Sequence, residues 1–214
     1  MTSLVYSSTN IGFEGEIISI ECDLSSSIPG ITIVGLGAKA IDESRERIRS
    51  AVKNSDLALP KKKITLNLAP ADLPKDGTNY DLPMALAILI SSGDVENNHL
   101  VSDSLFIGEL SLDGSIRPVK GIISHIQVAK DRGLKNVFIP QQNSNQAWLI
   151  SNINIIPCKD LKEVVNIINS AKLPIISPPT NESSRVASTF SHIDYADIIG
   201  QAQAKRALEI AAAG

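Results

Sequence analysis

Alternating apolar and polar positions predict several short strands in the first third of the chain. Residues 16–22 and 31–34 are runs rich in β-branched side chains that end at turn residues, and residues 63–68 alternate strictly. Residues 25–30 combine Ser, Pro and Gly as turns do. Because such connections are short, we expect the early strands to pair antiparallel.

Two segments between and after these strands have helical periodicity. Residues 38–54 place apolar side chains on one face and charged side chains on the other, which is typical of an amphipathic helix. Residues 81–92 are apolar nearly all round, so we expect this helix at the centre of the core. Pro83 is compatible with it, because the first helical turn has no backbone hydrogen bond to lose.

The second half of the chain repeats the alternation of strands and helices. We predict a strand over 105–108, a hairpin around Asp113-Gly114, a helix over 121–131, a strand over 136–140, a short helix near 144–149, a strand over 153–157 and a helix over 160–169. This order of elements predicts an α/β (α+β) fold with β-α-β repeats and a mixed sheet.

Composition changes at Leu173. Residues 173–194 hold prolines and many Ser and Thr residues without a sustained period, and we predict a flexible linker there. An alanine-rich helix follows within residues 195–214, which we interpret as the start of a further domain. The predicted division is therefore one domain over 1–172, the linker, and this start.

Overall composition limits the classes of function. Hydrophobic residues make up 43% and charged residues 20%, so the chain can bury a core, and the net charge of −3 provides no global field for nucleic acid. Aromatic residues are only 4%, which argues against a stacking platform for single strands. The N-terminus lacks signal-peptide features, and the longest apolar stretch, 82–90, is roughly half a membrane-spanning length. We expect a cytoplasmic protein without membrane contact.

Two glycine motifs are weak candidates for nucleotide binding. Residues 31–40 superficially match the dinucleotide fingerprint, but Asp56 precedes the next predicted strand, whereas the ribose-binding acid should end it. The segment from Gly200 departs from a phosphate loop, because Ala204 replaces the second glycine and Arg206 replaces the hydroxyl residue. We therefore expect a tight turn at the first motif and no ATP hydrolysis by this chain alone.

The spacing of the histidines and cysteines does not indicate a metal site or a redox site. His99, His125 and His192 are scattered without the spacing of metal ligands, so we expect no metal site. Cys22 and Cys158 stand far apart and form no C-x-x-C pair, and we expect two reduced, buried thiols.

Basic residues concentrate in one part of the sequence. Arg45, Arg47 and Arg49 lie on the predicted helix over 38–54, and Lys61, Lys62 and Lys63 precede the next strand. Such a cluster is either a solvated face or a patch that contacts DNA phosphates in a salt-sensitive manner. We take Arg45, Arg49 and Lys61 to Lys63 as candidate nucleic-acid contacts.

Two segments resemble the proteolytic domain of Lon. Residues 75–85, K-D-G-T-N-Y-D-L-P-M-A, are similar to the Lon segment K-D-G-P-S-A-G-x-x-M-A, whose serine is the nucleophile. Residues 108–121 and 136–140 are similar to the Lon stretch from G-E-I-T-L-x-G to V-L-I-P. The resemblance covers about residues 1–170 and implies a Lon-protease-like, ribosomal-protein-like two-layer domain.

Carried over position by position, the Lon serine corresponds to Asn79 and the Lon lysine to Ile123. A serine–lysine dyad needs a hydroxyl nucleophile and an amine that takes its proton, and these two side chains supply neither. We expect no catalytic residue here, and a role for Asn79 as a cap of the helix over 81–92. A displaced pair of Thr78 and Lys120 stays open as an alternative.

The pattern is closer to ComM-type proteins, also called YifB or Mg-chelatase-like ATPases. Residues 33–37, 43–49, 67–73 and 80–83 resemble their N-terminal domain. The segment from Asp197 to Gly214 resembles the lead-in to their AAA+ module. In that family the phosphate loop follows within a few residues, so we expect the chain to stop just before it.

The resemblance also implies partners and an activity for the full-length protein. It implies a cytoplasmic ATPase that needs ATP and Mg²⁺, assembles as a hexameric ring and drives branch migration of DNA during natural transformation. The related RadA protein carries a Lon-like domain without protease activity. No cofactor is implied for this chain itself, although Ile199 and Gly200 would lie by the adenine pocket of the ATPase. The alternatives are an ATP-dependent Lon-like protease domain and a chelatase-like protein remodeller without affinity for DNA.

Overall fold

The computed structural model describes residues 2–12, 14–35, 38–75, 78–174 and 198–213, with the backbone alone for 38–42. The chain divides into two compact units, Met1–Pro178 and Pro179–Gly214. Apart from its first two residues, the predicted linker over 173–194 lies outside the described residues.

The first unit is built on a seven-stranded mixed sheet with the strand order β3-β4-β2-β1-β5-β8-β9. Its strands are β1 (Ser3–Ile11), β2 (Glu14–Ser25), β3 (Gly30–Val34), β4 (Lys63–Ala69), β5 (Ser104–Phe106), β8 (Asn136–Pro140) and β9 (Asn154–Cys158). A separate two-stranded ribbon consists of β6 (Glu109–Leu110) and β7 (Ile116–Arg117), with the predicted hairpin turn at Asp113-Gly114 between them.

Helices connect most of these strands. They are α1 (Ala38–Asn54), α2 (Asp81–Ser92), α3 (His99–Ser102), α4 (Ile122–Asp131), α5 (Ser144–Ala147) and α6 (Leu161–Ser170), with a 3₁₀ turn over Gln141–Asn143. The predicted α/β two-layer fold with a mixed sheet is confirmed. The second unit contains α7 (Ala202–Ala213).

One expectation about strand pairing is wrong for β3. The strand pairs β1–β2 and β2–β4 are antiparallel, as expected. Residues 26–29 alone join β2 to β3, yet these two strands do not pair, because β4 lies between them and runs parallel to β3. The reason is the helix between β3 and β4: a strand–helix–strand unit returns the chain to the same end of the sheet and so produces a parallel pair.

The helix α2 lies at the centre of the core, as its sequence predicts. Its residues from Asp81 to Ile90 are all buried, and it packs against β1 and β2. The helix ends at Gly93, which adopts the left-handed conformation (φ 91°) and donates to the carbonyl of Ile90. Among the described residues, no helix combines the length and the apolar character needed to cross a membrane.

The two faces of the sheet are covered unequally. One face packs against α1, α2 and α6 along its whole width. The helices α4 and α5 cover the other face from the first part of β2 across β1 to β9, where a second apolar cluster forms. Near the other edge of the sheet, this second face, called the outer face from here on, carries exposed residues on β2, β4 and β3, among them Asp23, Lys63 and Thr32. An uncovered polar face is compatible with the antiparallel pairing there.

Candidate functional site

A cleft of about 480 Å³ opens where the end of β1, the loop before α2, the ribbon and the start of α4 meet. Its lining residues are Thr9, Asn10, Pro74, Thr78, Asn79, Glu109, Pro118, Val119, Lys120 and His125. The two Lon-like segments therefore come together here, because Asn79 belongs to the first and Glu109 to the second. The cleft is our candidate functional site.

Asn79, at the position of the Lon nucleophile, has a structural partner. Its side chain is 9% exposed, and its Nδ2 donates to the carbonyl oxygen of Ser8 at 3.0 Å. The expected capping role is wrong: the N-cap of α2 is Tyr80, and no side chain accepts a hydrogen bond at this cap. The amide of Asn79 points to β1 and fastens the loop before α2 to that strand.

The hydroxyl groups of the cleft are hydrogen-bonded to acceptors that hold them in place. Thr78 Oγ1 donates to the carboxylate of Glu109, which also lies 3.4 Å from Nη1 of Arg117. Thr9 Oγ1 donates to the carbonyl oxygen of Pro74 at 3.0 Å. Both contacts connect loops to the sheet or the ribbon, so they shape the cleft wall.

Amines near the cleft are arranged differently from a serine–lysine dyad. Ile123, at the Lon lysine position, is 42% exposed on α4 and is absent from the lining. Lys120 lines the cleft and is exposed. Lys75 is buried, donates to the carbonyl oxygens of Pro70 and Leu73, and has its pKa lowered by burial. Residues 76 and 77 lie outside the described residues.

One pair in the cleft wall was missed by sequence reasoning. Ser8 Oγ and His125 Nδ1 share a hydrogen bond at 2.8 Å, and both side chains are buried. Burial lowers the pKa of His125 to about 4, so the imidazole is neutral at neutral pH. His125 lines the cleft whereas Ser8 is fully buried, so a substrate would meet the imidazole and not the hydroxyl.

A glycine allows the end of β1 to approach the start of α4. Gly121 has φ 67°, and a Cβ there would lie 2.4 Å from Nδ2 of Asn10. That same Nδ2 donates to the carbonyl oxygen of Gly121 at 3.3 Å. The left-handed conformation favours glycine, and the contact leaves no room for a side chain.

A buried ion pair joins two motif segments near the cleft. Arg47 on α1 binds Asp81 at the start of α2 through two hydrogen bonds of 2.6 and 3.2 Å. Asp81 is fully buried and also accepts from the backbone N–H of Leu110 at 3.3 Å. Burial raises the pKa of Asp81, and hydrogen bonds from Arg47 and Ser44 oppose that shift. The pair fixes α1 against α2.

The structure divides the predicted basic cluster between two faces of the sheet. Arg45 is partly buried on α1, and Arg49 is exposed and pairs with Glu46 at 3.2 Å. The helix α1 packs on the core face, whereas Lys63 alternates with buried Ile64 and so belongs to the opposite face. Arg45 and Arg49 therefore do not form one surface with Lys63.

Lys61 and Lys62 are exposed in the connection that leads into β4. This connection lies at the edge between the two faces, because it joins α1 on the core face to a strand of the sheet itself. The lysine part of the cluster is thus a local group of amines at one end of β4.

The remaining candidate residues are divided between the two units, and one of them lies outside the described residues. Ile199 is 97% exposed and Gly200 has φ 78°, both in the second unit. His192 lies outside the described residues. In the described ranges, no three His, Cys, Asp or Glu side chains are grouped as metal ligands. Cys22 and Cys158 are free and buried, and burial raises the pKa of both thiols.

Comparison with known proteins gives matches over nearly the whole chain. The chain is 42% identical to the competence protein ComM of Haemophilus influenzae over 213 residues, which are 99% of this chain and 42% of that protein. It is 39% identical to YifB of Escherichia coli over 212 residues, 99% of this chain and 41% of that protein. The chain thus spans about two fifths of the length of these relatives.

Two further matches bear on the family. The Lon protease of Buchnera aphidicola is 28% identical over 180 residues, which cover 78% of this chain and 22% of the protease. Residues 20–143 match the sequence family described as subunit ChlI of Mg-chelatase. The chain belongs to this Mg-chelatase ChlI family and is one of its ComM/YifB-type members.

Proposed function

We propose that the chain is a Lon-like module without peptidase chemistry within a ComM-type AAA+ ATPase that acts on DNA. In this proposal the module contributes to ring assembly and guides DNA during ATP-dependent branch migration. The observation that carries the first part is the side chain of Asn79, which donates to a β1 carbonyl at the position where Lon has its nucleophile. The loss of chemistry leaves the cleft as a structural junction.

The chemistry of the cleft supports this proposal. A hydroxyl becomes a nucleophile when a neighbouring base takes its proton. Thr78 donates to the carboxylate of Glu109, whose charge is paired with Arg117, and Thr9 donates to a backbone carbonyl, so neither hydroxyl has an amine as its base. The buried amine of Lys75 is held by backbone carbonyls. These groups are arranged to hold loops in place.

The proposed ring holds six copies in the cytoplasm and binds ATP with Mg²⁺ in its ATPase part. Ile199 and Gly200 would lie by the adenine pocket in that assembly. Leu208 and Ile210 on α7 are exposed, which supports the attachment of further ATPase residues, because these would cover apolar side chains that are open to solvent. DNA would be held by amines and guanidinium groups, from candidates Arg45, Arg49 and Lys61 to Lys63, through charge-driven contacts that weaken with salt.

Measurement of ATP hydrolysis by the complete protein tests the DNA part. We expect branched DNA to stimulate hydrolysis more than linear duplex of the same length and composition. Charge reversal at the five candidate basic residues should weaken binding of branched DNA, most strongly at low salt and less so as salt rises. If neither the branched DNA nor the linear duplex bound the protein or changed its rate of ATP hydrolysis, the proposal would be contradicted and a protein remodeller favoured.

A second candidate function is a displaced protease dyad, because Thr78 and Lys120 line the same cleft. The complete protein is incubated with ATP and either casein or a fluorogenic peptide. We expect no turnover above that of a variant with Thr78→Ala. Turnover that depends on both Thr78 and Lys120, and is lost in Thr78→Ala and Lys120→Met, would replace the non-catalytic interpretation.

A further inference from the structure

The turn over residues 26–29 crosses the beginning of β4. Ser25 at the end of β2 and Gly30 at the start of β3 both pair with Lys63, the first residue of β4. Because β4 lies between those strands, the turn must bridge two strand spacings, roughly 10 Å, over the end of β4. The residues that lead into β4 are therefore neighbours of this turn.

This arrangement places hydroxyl groups beside amines. Ser25, Ser26 and Ser27 are exposed, as are the three lysines of residues 61–63. Lysine amines, serine hydroxyls and backbone N–H groups are the groups that bind DNA phosphates. The carboxylate of Asp23 lies one row further along the outer face, opposite Thr65. Since a carboxylate repels phosphate, a DNA backbone would lie on the turn and lysine side of that row.

The tip of the same turn is apolar. Ile28 is 86% exposed, more than any other large apolar residue described in the first unit, where Leu149 follows at 72%. Pro29 next to it is exposed as well. Isoleucine and proline are among the side chains that DNA-bending proteins insert between base steps, while polar groups alongside hold the backbone.

We infer that this turn is a DNA wedge: Ile28, supported by Pro29, inserts between bases where a DNA duplex opens, and Lys61 to Lys63 with the serine hydroxyls hold the adjoining phosphates. The inference rests on the proposed action on DNA. It assigns strand opening to the apolar tip and affinity to the amines. It leaves the candidates Arg45 and Arg49 out of the contact, because α1 packs on the core face of the sheet whereas Lys63 lies on the opposite face.

The test uses the complete protein and a three-way DNA junction with 2-aminopurine at the branch point. Its fluorescence rises when the base unstacks, and anisotropy of a distant dye gives the affinity. With Ile28→Ser we expect the fluorescence rise to be lost while the dissociation constant changes less than about threefold, because phosphate contacts supply most of the affinity. Ile28→Leu should retain the rise, and Leu149→Ser is the matched control at an exposed apolar site elsewhere.

Charge reversal of the lysines, in contrast to Ile28→Ser, should mainly change the affinity for DNA. The triple variant Lys61→Glu, Lys62→Glu, Lys63→Glu should bind the junction at least tenfold more weakly near 0.15 M salt, with a salt-dependence slope reduced by about 2–3. Charge reversal of Arg45 and Arg49 should leave both readouts close to wild type. The wedge is overturned if Ile28→Ser unstacks the branch point as well as wild type does. A wild-type protein that binds no DNA at any salt concentration would instead remove the proposed function itself.

Discussion

The cleft and the turn at residues 26–29 lie in the same compact unit and differ in the exposure of their polar side chains. In the cleft, two polar side chains are buried and paired: Asn79 with a carbonyl and His125 with Ser8. At the turn and the lysines beside it, serine and lysine side chains are exposed, and Ile28 is 86% exposed. Polar groups withdrawn from water and paired stabilise a fold, whereas exposed ones are available for binding.

The difference separates polar groups that support the fold from polar groups that are available for binding. Replacing a paired buried group should lower stability and leave ligand contacts elsewhere intact. Replacing an exposed group at the turn should leave stability unchanged and alter binding alone.

The largest effect is expected for the ion pair between Arg47 and Asp81. Arg47→Leu leaves a fully buried carboxylate without its guanidinium partner, and we expect the free energy of unfolding to fall by about 3–5 kcal/mol. Urea denaturation of the chain provides the measurement. The matched control is Arg49→Leu, which removes an exposed pair with Glu46 and should cost less than about 1 kcal/mol. Equal losses in both variants would contradict the assigned role of Arg47.

The buried imidazole of His125 predicts a dependence of stability on pH. Its pKa in the folded chain is about 4, below the ordinary value of 6.5. As pH falls through 6.5, the unfolded chain takes up a proton that the folded chain does not, so stability decreases until about pH 4. The total loss is about 3 kcal/mol.

Denaturation midpoints between pH 7 and pH 4 measure this loss, and the matched pair of variants is His125→Gln and His99→Gln. The first should lack most of the pH dependence, whereas the second changes an exposed histidine and should retain it. A wild-type profile that is as flat as that of His125→Gln would show that the imidazole is not held neutral by burial.

Asn79 should contribute stability through its contact with β1. Asn79→Leu leaves the carbonyl of Ser8 without this donor in a buried position, and we expect a loss of about 1–3 kcal/mol. The same replacement at Asn67, whose amide binds Glu21 on the outer face, should cost less than about 0.5 kcal/mol. A neutral Asn79→Leu would contradict the assigned role of its amide in fastening the loop before α2 to β1.

Local sequence patterns predicted the bounds of helices and strands better than they predicted which strands pair and which side chains meet. The bounds of α1, α2 and β8 agree with the sequence prediction, because each rests on the periodicity of its own side chains. The placement of β3 at the edge was missed, since it depends on the crossover through α1. The resemblance placed Asn79 in the site, but no local signal gives its partner.

Pairs distant in sequence explain the rest of what was missed. Ser8 and His125 are 117 positions apart, and Arg47 and Asp81 are 34 apart. The sequence alone does not show that His125 is buried. It also does not show which of the three arginines on the helix pairs with a buried carboxylate. The sequence therefore grouped Arg45, Arg49 and the lysines as one patch, and the sheet separates them because helix and strand side chains face opposite sides.

The smallest effect on stability is expected at the turn, and it completes the contrast with the cleft. The triple variant Lys61→Glu, Lys62→Glu, Lys63→Glu changes exposed side chains only, so the free energy of unfolding should stay within about 0.5 kcal/mol of wild type per substitution. Ile28→Ser exposes no core surface and should be equally neutral. Urea denaturation of both variants, beside Asn79→Leu, makes the comparison. A loss of several kcal/mol in either variant would mean that the turn is part of the fold’s support, and changes in its DNA binding would then lose their meaning as surface effects.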